Sequence, residues 1–130
     1  MEEKYLIDTN ILIYYLDNKI PESQDEFVSN IFEKSFYISS ITKIEILGWY
    51  KITDIMRINI DNFLLNATVF YVDKQIENKT IAIKQKLKID TPDAIIAATA
   101  LVNKMTIVTR NVDDFKKIRG LKIYNPFKKL

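Results

Sequence analysis

Short β-rich runs separated by longer stretches of helical spacing constrain this chain most. The runs are KYLI (4–7), FYIS (36–39), TVFYV (68–72), TIVT (106–109) and KIY (122–124). Between them apolar positions recur at intervals of three and four, as in Phe27, Ile31 and Phe32, or Ile76, Thr80, Ile83 and Leu87. Parallel strands need a crossover, usually a helix, so this alternation predicts an α/β layer fold with a mainly parallel sheet of five strands. Pro21 and Pro92 sit at plausible helix starts, and Pro126 follows the last strand. No linker, repeat or low-complexity segment interrupts the pattern, so one domain is expected over residues 1–130.

In such sheets ligands bind beyond the carboxyl ends of the strands. Asp8 closes the first run, and Asn111, Asp113 and Asp114 follow the fourth. Asp8 equally suits an N-cap for a helix beginning near Thr9, with Ile7 and Leu12 as a hydrophobic staple. If SITKIEILGWYKI is one helix, 100° per residue places Glu45 about 40° from both Ile41 and Trp49, a carboxylate on an apolar face. Such a group is costly to bury unless paired or bound to metal. If Ile46, Leu47 and Tyr50 form the core face instead, Glu45 is exposed. Asp93 lies in IDTPDAIIAATALV, where Thr91 is a good N-cap and Pro92 a good first helical residue. An acid there complements the helix dipole, yet the helix that follows is apolar nearly all round, which puts that charge near the end of the sheet. Asp90 is the exposed alternative.

The chemistry open to these positions is narrow. The chain has no cysteine and no histidine, which excludes thiolate nucleophiles, serine–histidine–acid triads and nitrogen–sulfur zinc sites. Only Gly48 and Gly120 are glycines, so no phosphate-cradling glycine loop exists. What remains is carboxylates, hydroxyls, lysines and arginines, and the natural resource of such a set is a hard divalent cation held by oxygen. The halves also differ in charge. Residues 1–65 carry 6 basic and 11 acidic side chains, residues 66–130 carry 13 and 6, although the net charge is only +2. A basic region beside an acidic one suits a polyanion meeting a metal site, while solvated helix faces explain the same counts.

Taken in order, YLIDTNILIYYLD, SSITKIEILGW, DTPDAIIAATAL and IVTRNVDDFKKIRGLKIYNPF resemble the PIN-domain ribonucleases, in particular the VapC-type toxins of bacterial toxin–antitoxin pairs. The resemblance runs from residue 5 to residue 127. It implies a PIN-like three-layer α/β/α sandwich and places acidic metal-binding, catalytic residues at Asp8, Glu45, Asp93 and Asp114, with accompanying polar positions at Thr9, Asn10, Thr109 and Asn111. In VDDF the acid just before Phe115 is the match, which selects Asp114 over Asp113. Some relatives have an acid where this chain has Asn111, so one or two metal ions remain open. The resemblance further implies Mg²⁺- or Mn²⁺-dependent hydrolysis of RNA phosphodiester bonds, leaving a 5′-phosphate and a 3′-hydroxyl. It also implies a homodimer and a small antitoxin partner, for which the apolar residues of ILGWYKITDIMRINIDNFLL offer a groove. A catalytically inactive PIN-like module that binds RNA or protein is the alternative. A receiver-type signalling domain, with Asp73 after the third run, fits less well because such domains place adjacent acids after the first strand.

Phosphate contacts are expected from Arg110, Lys86 and Lys88, and from Lys79, Lys84, Lys116, Lys117 and Arg119 around them, unless these are solvated lysines and arginines. The first residues lack the basic, apolar, small-residue order of a signal peptide. No run approaches the roughly 18 apolar residues of a membrane span, so a cytoplasmic protein with no membrane contact is expected.

Overall fold

The computed structural model describes residues 3–127. Five strands, β1 (Tyr5–Ile7), β2 (Phe36–Ser39), β3 (Ala67–Phe70), β4 (Thr106–Val108) and β5 (Lys122–Tyr124), form one parallel sheet in the order β3-β2-β1-β4-β5. All five β-rich runs are strands, the third starting one residue early and ending at Phe70. The helices are α1 (Thr9–Leu16), α2 (Glu22–Lys34), α3 (Ser40–Leu47), α4 (Asp54–Phe63), α5 (Lys74–Lys86), α6 (Thr91–Val102) and the single turn α7 (Val112–Phe115). Among the described residues no helix is long and apolar enough to cross a membrane.

Side chains alternate across a strand, so adjacent residues feed opposite cores. Leu6 and Ile107 pack with Ile76 and Ile83 of α5, the alanines of α6, and Phe115. Ile7 and Val108, one residue on, pack with Ile11 and Leu12 of α1, Val28 and Phe32 of α2, and Ile46 of α3, joined by Phe36 and Ile38 of β2. The result is the three-layer α/β/α sandwich. The staple foreseen at the start of α1 is present in composition: Ile7 and Leu12 are both buried in that second core.

Helix boundaries differ in instructive ways from the sequence reading. The segment after Ser40 does not continue as a helix to residue 52; it stops at Leu47, with Gly48 as its C-cap. A Cβ on Gly48 would stand 2.5 Å from the Ile44 carbonyl oxygen, so the turn admits only glycine without a shift. Thr91 is not the cap of α6 but its first residue, with Asp90 in the cap position and making no side-chain capping bond. Phe27 is not a core residue: it is 45% exposed and its ring meets Tyr5 and Tyr124, while Val28 is buried in its stead. Asp73 caps α5 by accepting from the Ile76 amide at 2.8 Å, which gives that acid a structural role.

Helix α6 is the buried spine of the first core. Ala94, Ala97, Ala98 and Ala100 have no exposed surface. Small side chains let α5 and the strands approach closely, and the packing leaves no room for growth. Ala97→Leu is therefore expected to destabilise the fold by about 1–3 kcal/mol, measured as a lower midpoint in urea unfolding.

Candidate active site

The strand order reverses direction at β1 and β4: the chain winds outward through β2 and β3, then returns to lay β4 on the other side of β1. Neighbouring strands at such a point send their following segments to opposite faces, opening a crevice at the carboxyl edge. Asp8 leaves β1 at this edge, and Thr109 leaves β4. The Asp8 amide donates to the Val108 carbonyl at 3.0 Å, and the Thr109 hydroxyl donates to Asp8 Oδ2 at 2.7 Å. The other oxygen, Oδ1, accepts from the Thr9 amide at 2.8 Å, so Asp8 caps α1 as well. The two readings of Asp8 in the sequence are thus compatible, because one carboxylate oxygen serves the helix and the other faces Thr109. Asp8 is 4% exposed.

Three further acids reach this edge from separate elements. Glu45 projects from the last turn of α3, Asp93 from the first turn of α6, and Asp114 from α7. Burial, then the charges of Asp8, Asp114, Asp90 and Glu45, push the Asp93 carboxyl up to about 6. Burial also raises Asp8, with Glu45 adding to it, against the lowering effect of the Thr109 and Thr9 hydrogen bonds. These mutual effects register the four carboxylates as electrostatic neighbours. They do not form a preformed cage: among the described residues no three acidic side chains stand close enough to share one ion. An all-oxygen donor set of this kind fits a divalent cation that retains much of its hydration, as Mg²⁺ does.

Of the two faces left open for Glu45, the structure takes the one with Ile46 on the core side. Glu45 is exposed, because α3 turns Thr42 and Ile46 inward. It nonetheless belongs to the edge, since Thr9 Oγ1 donates to Glu45 Oε1 at 2.8 Å and lies 3.0 Å from Thr42 Oγ1. A hydroxyl has one proton and a carboxylate only accepts, so the Thr9 proton goes to Glu45 and the Thr42 proton to Thr9. Thr42 is fully buried and escaped the sequence reading. Its one visible trace is the TxxE spacing, which sets it one helical turn before Glu45. Ser39, also fully buried, caps α3 by accepting from the Ile41 amide at 3.1 Å.

The remaining polar positions divide. Thr109 Oγ1 accepts from the Asn111 amide at 2.9 Å, and the Asn111 side-chain amide donates to Asp114 Oδ2 at 3.1 Å. Asp114 is exposed. Asn10 Oδ1 is buried and has no partner among the described residues. Of the basic candidates, Lys86 and Lys88 are exposed where α5 gives way to the loop entering α6, and Arg110 is exposed directly after Thr109. Lys84 instead donates to the Ile89 carbonyl at 3.0 Å, tying down that loop, and Lys116 pairs with Asp113 at 3.2 Å. Lys79, Lys117 and Arg119 are exposed.

A doubly wound parallel sheet with carboxylates and hydroxyls gathered at its switch point defines a class of α/β protein that handles charged ligands at that edge. Residues 5–121 match the PIN domain family, and the chain belongs to that family. Its relatives are VapC ribonucleases. It is similar to Ribonuclease VapC2 of Rickettsia felis, at 30% identity with 93% of this chain and 96% of that protein covered. It is also similar to the tRNA(fMet)-specific endonuclease VapC of Shigella flexneri, at 27% identity with 92% and 95% covered. Among solved structures it resembles the DNA-bound VapBC of Salmonella typhimurium, with a TM-score of 0.80 and 26% identity over 96% of this chain and 99% of that one. PIN-domain ribonucleases are generally dependent on a divalent metal.

Two outcomes follow from this geometry. In the metal-free protein, a carboxyl raised from 3.8 to about 6 binds more protons folded than unfolded between those values, so stability falls as pH rises through that window. Asp93→Asn in EDTA is expected to raise the melting temperature above pH 6 and to leave it nearly unchanged at pH 4. Thr42→Val removes the buried donor behind Thr9 and is expected to lower activity roughly threefold to tenfold, with Thr42→Ser restoring it. Initial rates at saturating metal check this.

Proposed function

We propose that this chain is a metal-dependent endoribonuclease, the toxin of a toxin–antitoxin pair, with Asp8, Glu45, Asp93 and Asp114 as its acidic metal-binding residues. The observation that carries the reading is the gathering of these four carboxylates, from four different elements, at the switch point of the sheet. When bound, Mg²⁺ or Mn²⁺ supplies Lewis acidity and offsets charge on the transferring phosphoryl group.

The chain's own residues supply the rest. Thr109 and the Thr9 amide favour the ionised form of Asp8 against the opposing effect of its burial, and fix its orientation. Thr9, backed by Thr42, aims Glu45, and Asn111 restrains Asp114. Asn111 is an amide where a fifth carboxylate is conceivable, which lowers the charge that cations must offset. Exposed Lys86, Lys88 and Arg110 offer phosphate contacts on either side of the acids, which position RNA without reading its sequence. Attack of water at phosphorus breaks the bond to the 3′-oxygen, giving a 5′-phosphate and a 3′-hydroxyl. Water as nucleophile needs neither histidine nor cysteine, in keeping with their absence from the chain.

Beside Glu45 an apolar cavity of about 550 Å³ is lined by Ile13, Leu16, Ile46, Trp49, Met56 and Ile60. Helix α4 buries none of its residues fully, and Ile55, Met56 and Ile58 are exposed. This groove fits the apolar face of an amphipathic antitoxin segment, whose polar end would reach the acids through Glu45. The toxin acts as a homodimer in this reading.

Purified protein supplied with Mg²⁺ or Mn²⁺ is expected to cut a pool of small cellular RNAs. EDTA is expected to abolish cutting, and Asp8→Asn and Asp93→Asn to reduce it on the order of 100-fold or more. Equal behaviour of all samples, after stripping any copurified partner, rejects the nuclease in favour of a binding module. Met56→Arg is expected to weaken capture of the cognate antitoxin at least tenfold while RNA cleavage persists, read by titration calorimetry.

A further inference from the structure

Arg110 occupies an unusual position for a cation. It follows Thr109, which bonds Asp8, and precedes Asn111, which bonds Asp114. A guanidinium flanked by two residues that each bond a carboxylate would ordinarily fold onto one of those acids. Among the described residues the ion pairs are Arg57 with Asp61 and Lys116 with Asp113, and Arg110 joins neither. Its Cζ lies instead 4.3 Å from the centre of the Phe127 ring and 5.3 Å from that of Tyr14. The two rings meet edge to face at 4.9 Å, so the clamp is itself a packed unit drawn from α1 and the segment after β5. Phe127 is placed there by the turn at Pro126, where its amide donates to Asn125 Oδ1 at 2.9 Å.

Attraction to ring faces holds the guanidinium without an acceptor, so its N–H groups are not spent on a carboxylate. Those groups match two oxygens of a phosphate, which a lysine in the same place would meet only as a point charge. Ring contact also removes much of the rotamer freedom that an exposed arginine loses on binding. We propose that Arg110, held by Tyr14 and Phe127, is a preorganised subsite for one backbone phosphate of the RNA strand, beside the scissile one. The clamp keeps the guanidinium off the acids, where it would compete with a metal ion, and keeps it within reach of the strand they act on. The subsite rests on the nuclease reading for the identity of its ligand.

The test is binding of a labelled oligouridylate to protein carrying Asp8→Asn, so that nothing is cut, across a series of salt concentrations. Arg110→Gln in that background is expected to weaken binding about fivefold to tenfold and to reduce the slope of log affinity against log salt by about 0.7, the value for one phosphate contact on a single strand. Arg110→Lys and Tyr14→Leu keep the charge, so both are expected to preserve the slope while weakening binding about threefold. Unchanged affinity and slope for Arg110→Gln overturns the proposal, as does a lowered melting temperature with an unchanged slope, which marks a packing residue only. Loss of antitoxin binding with RNA binding intact also overturns it and assigns the clamp to the protein partner. Cleavage by the otherwise native chain is scored separately. RNA bound through Arg110 but never cut would fault the nuclease reading and leave the subsite standing.

Discussion

The hydrogen bond between Thr109 and Asp8 ties together the two strands on which everything else is hung. β1 and β4 are the central pair, and their register places the last residue of one beside the last residue of the other, Ile7 against Val108. One step further on, the pleat hands over from apolar side chains that enter the two cores to a carboxylate and a hydroxyl that face each other at 2.7 Å. Both are almost fully buried. A buried carboxylate without such a partner would be forced towards its neutral form, and a neutral Asp8 is a poor ligand and a poor cap for α1. That bond joins the ends of the two strands and holds the candidate site's most buried carboxyl, while the other oxygen of Asp8 caps the first helix.

The acids around it are in conflict with one another. Burial and mutual repulsion lift Asp93 to about 6, so the metal-free protein holds this carboxyl at a cost that rises with pH. Such local frustration is the common mark of a site built for a ligand that is charged in the opposite sense. Hydrogen bonds restrain three of the four: Asp8 through Thr109 and the Thr9 amide, Glu45 through Thr9, and Asp114 through Asn111. Asp8 and Glu45 come from the acidic half of the sequence, and Asp93 and Asp114 from the basic half, so the charge asymmetry along the chain does not map onto the site as a simple division.

Much of this was legible before any coordinates. The five strands, their parallel arrangement and the position of Asp8 at a carboxyl edge follow from local pattern, because strand runs and helical spacing are short-range signals. What failed was the length over which α3 persists. Apolar residues continue past Gly48 as if the helix did, yet the helix ends at Leu47 with Gly48 as its C-cap. Periodicity left Glu45 either on a buried apolar face or exposed opposite Ile46, and it stands exposed on the rim. The chain puts Thr42 and Ile46 inside because α3 packs on α1 and the second core. Its link to the site runs through Thr9, 36 residues earlier, and a bond of that sequence separation leaves no periodic trace. Thr42 was missed for the same reason.

The architecture also bears on how a partner can reach the site without competing for the sheet. The apolar cavity and the four carboxylates have Glu45 in common: it lines the cavity, and its Oε1 is held by Thr9. Arg110, Tyr14 and Phe127 form a separate cluster, built from the residue after Thr109, from α1 and from the chain after β5. An antitoxin segment seated among Trp49, Met56 and Ile60 would therefore meet the acids from the α3 side, whereas a strand gripped by Arg110 would enter from the β4 side. Inhibition in such an arrangement need not block the whole RNA path. Displacing Glu45 from Thr9, or offering the acids a cation of the partner's own, would be enough to disable a site that depends on four charges being held in balance.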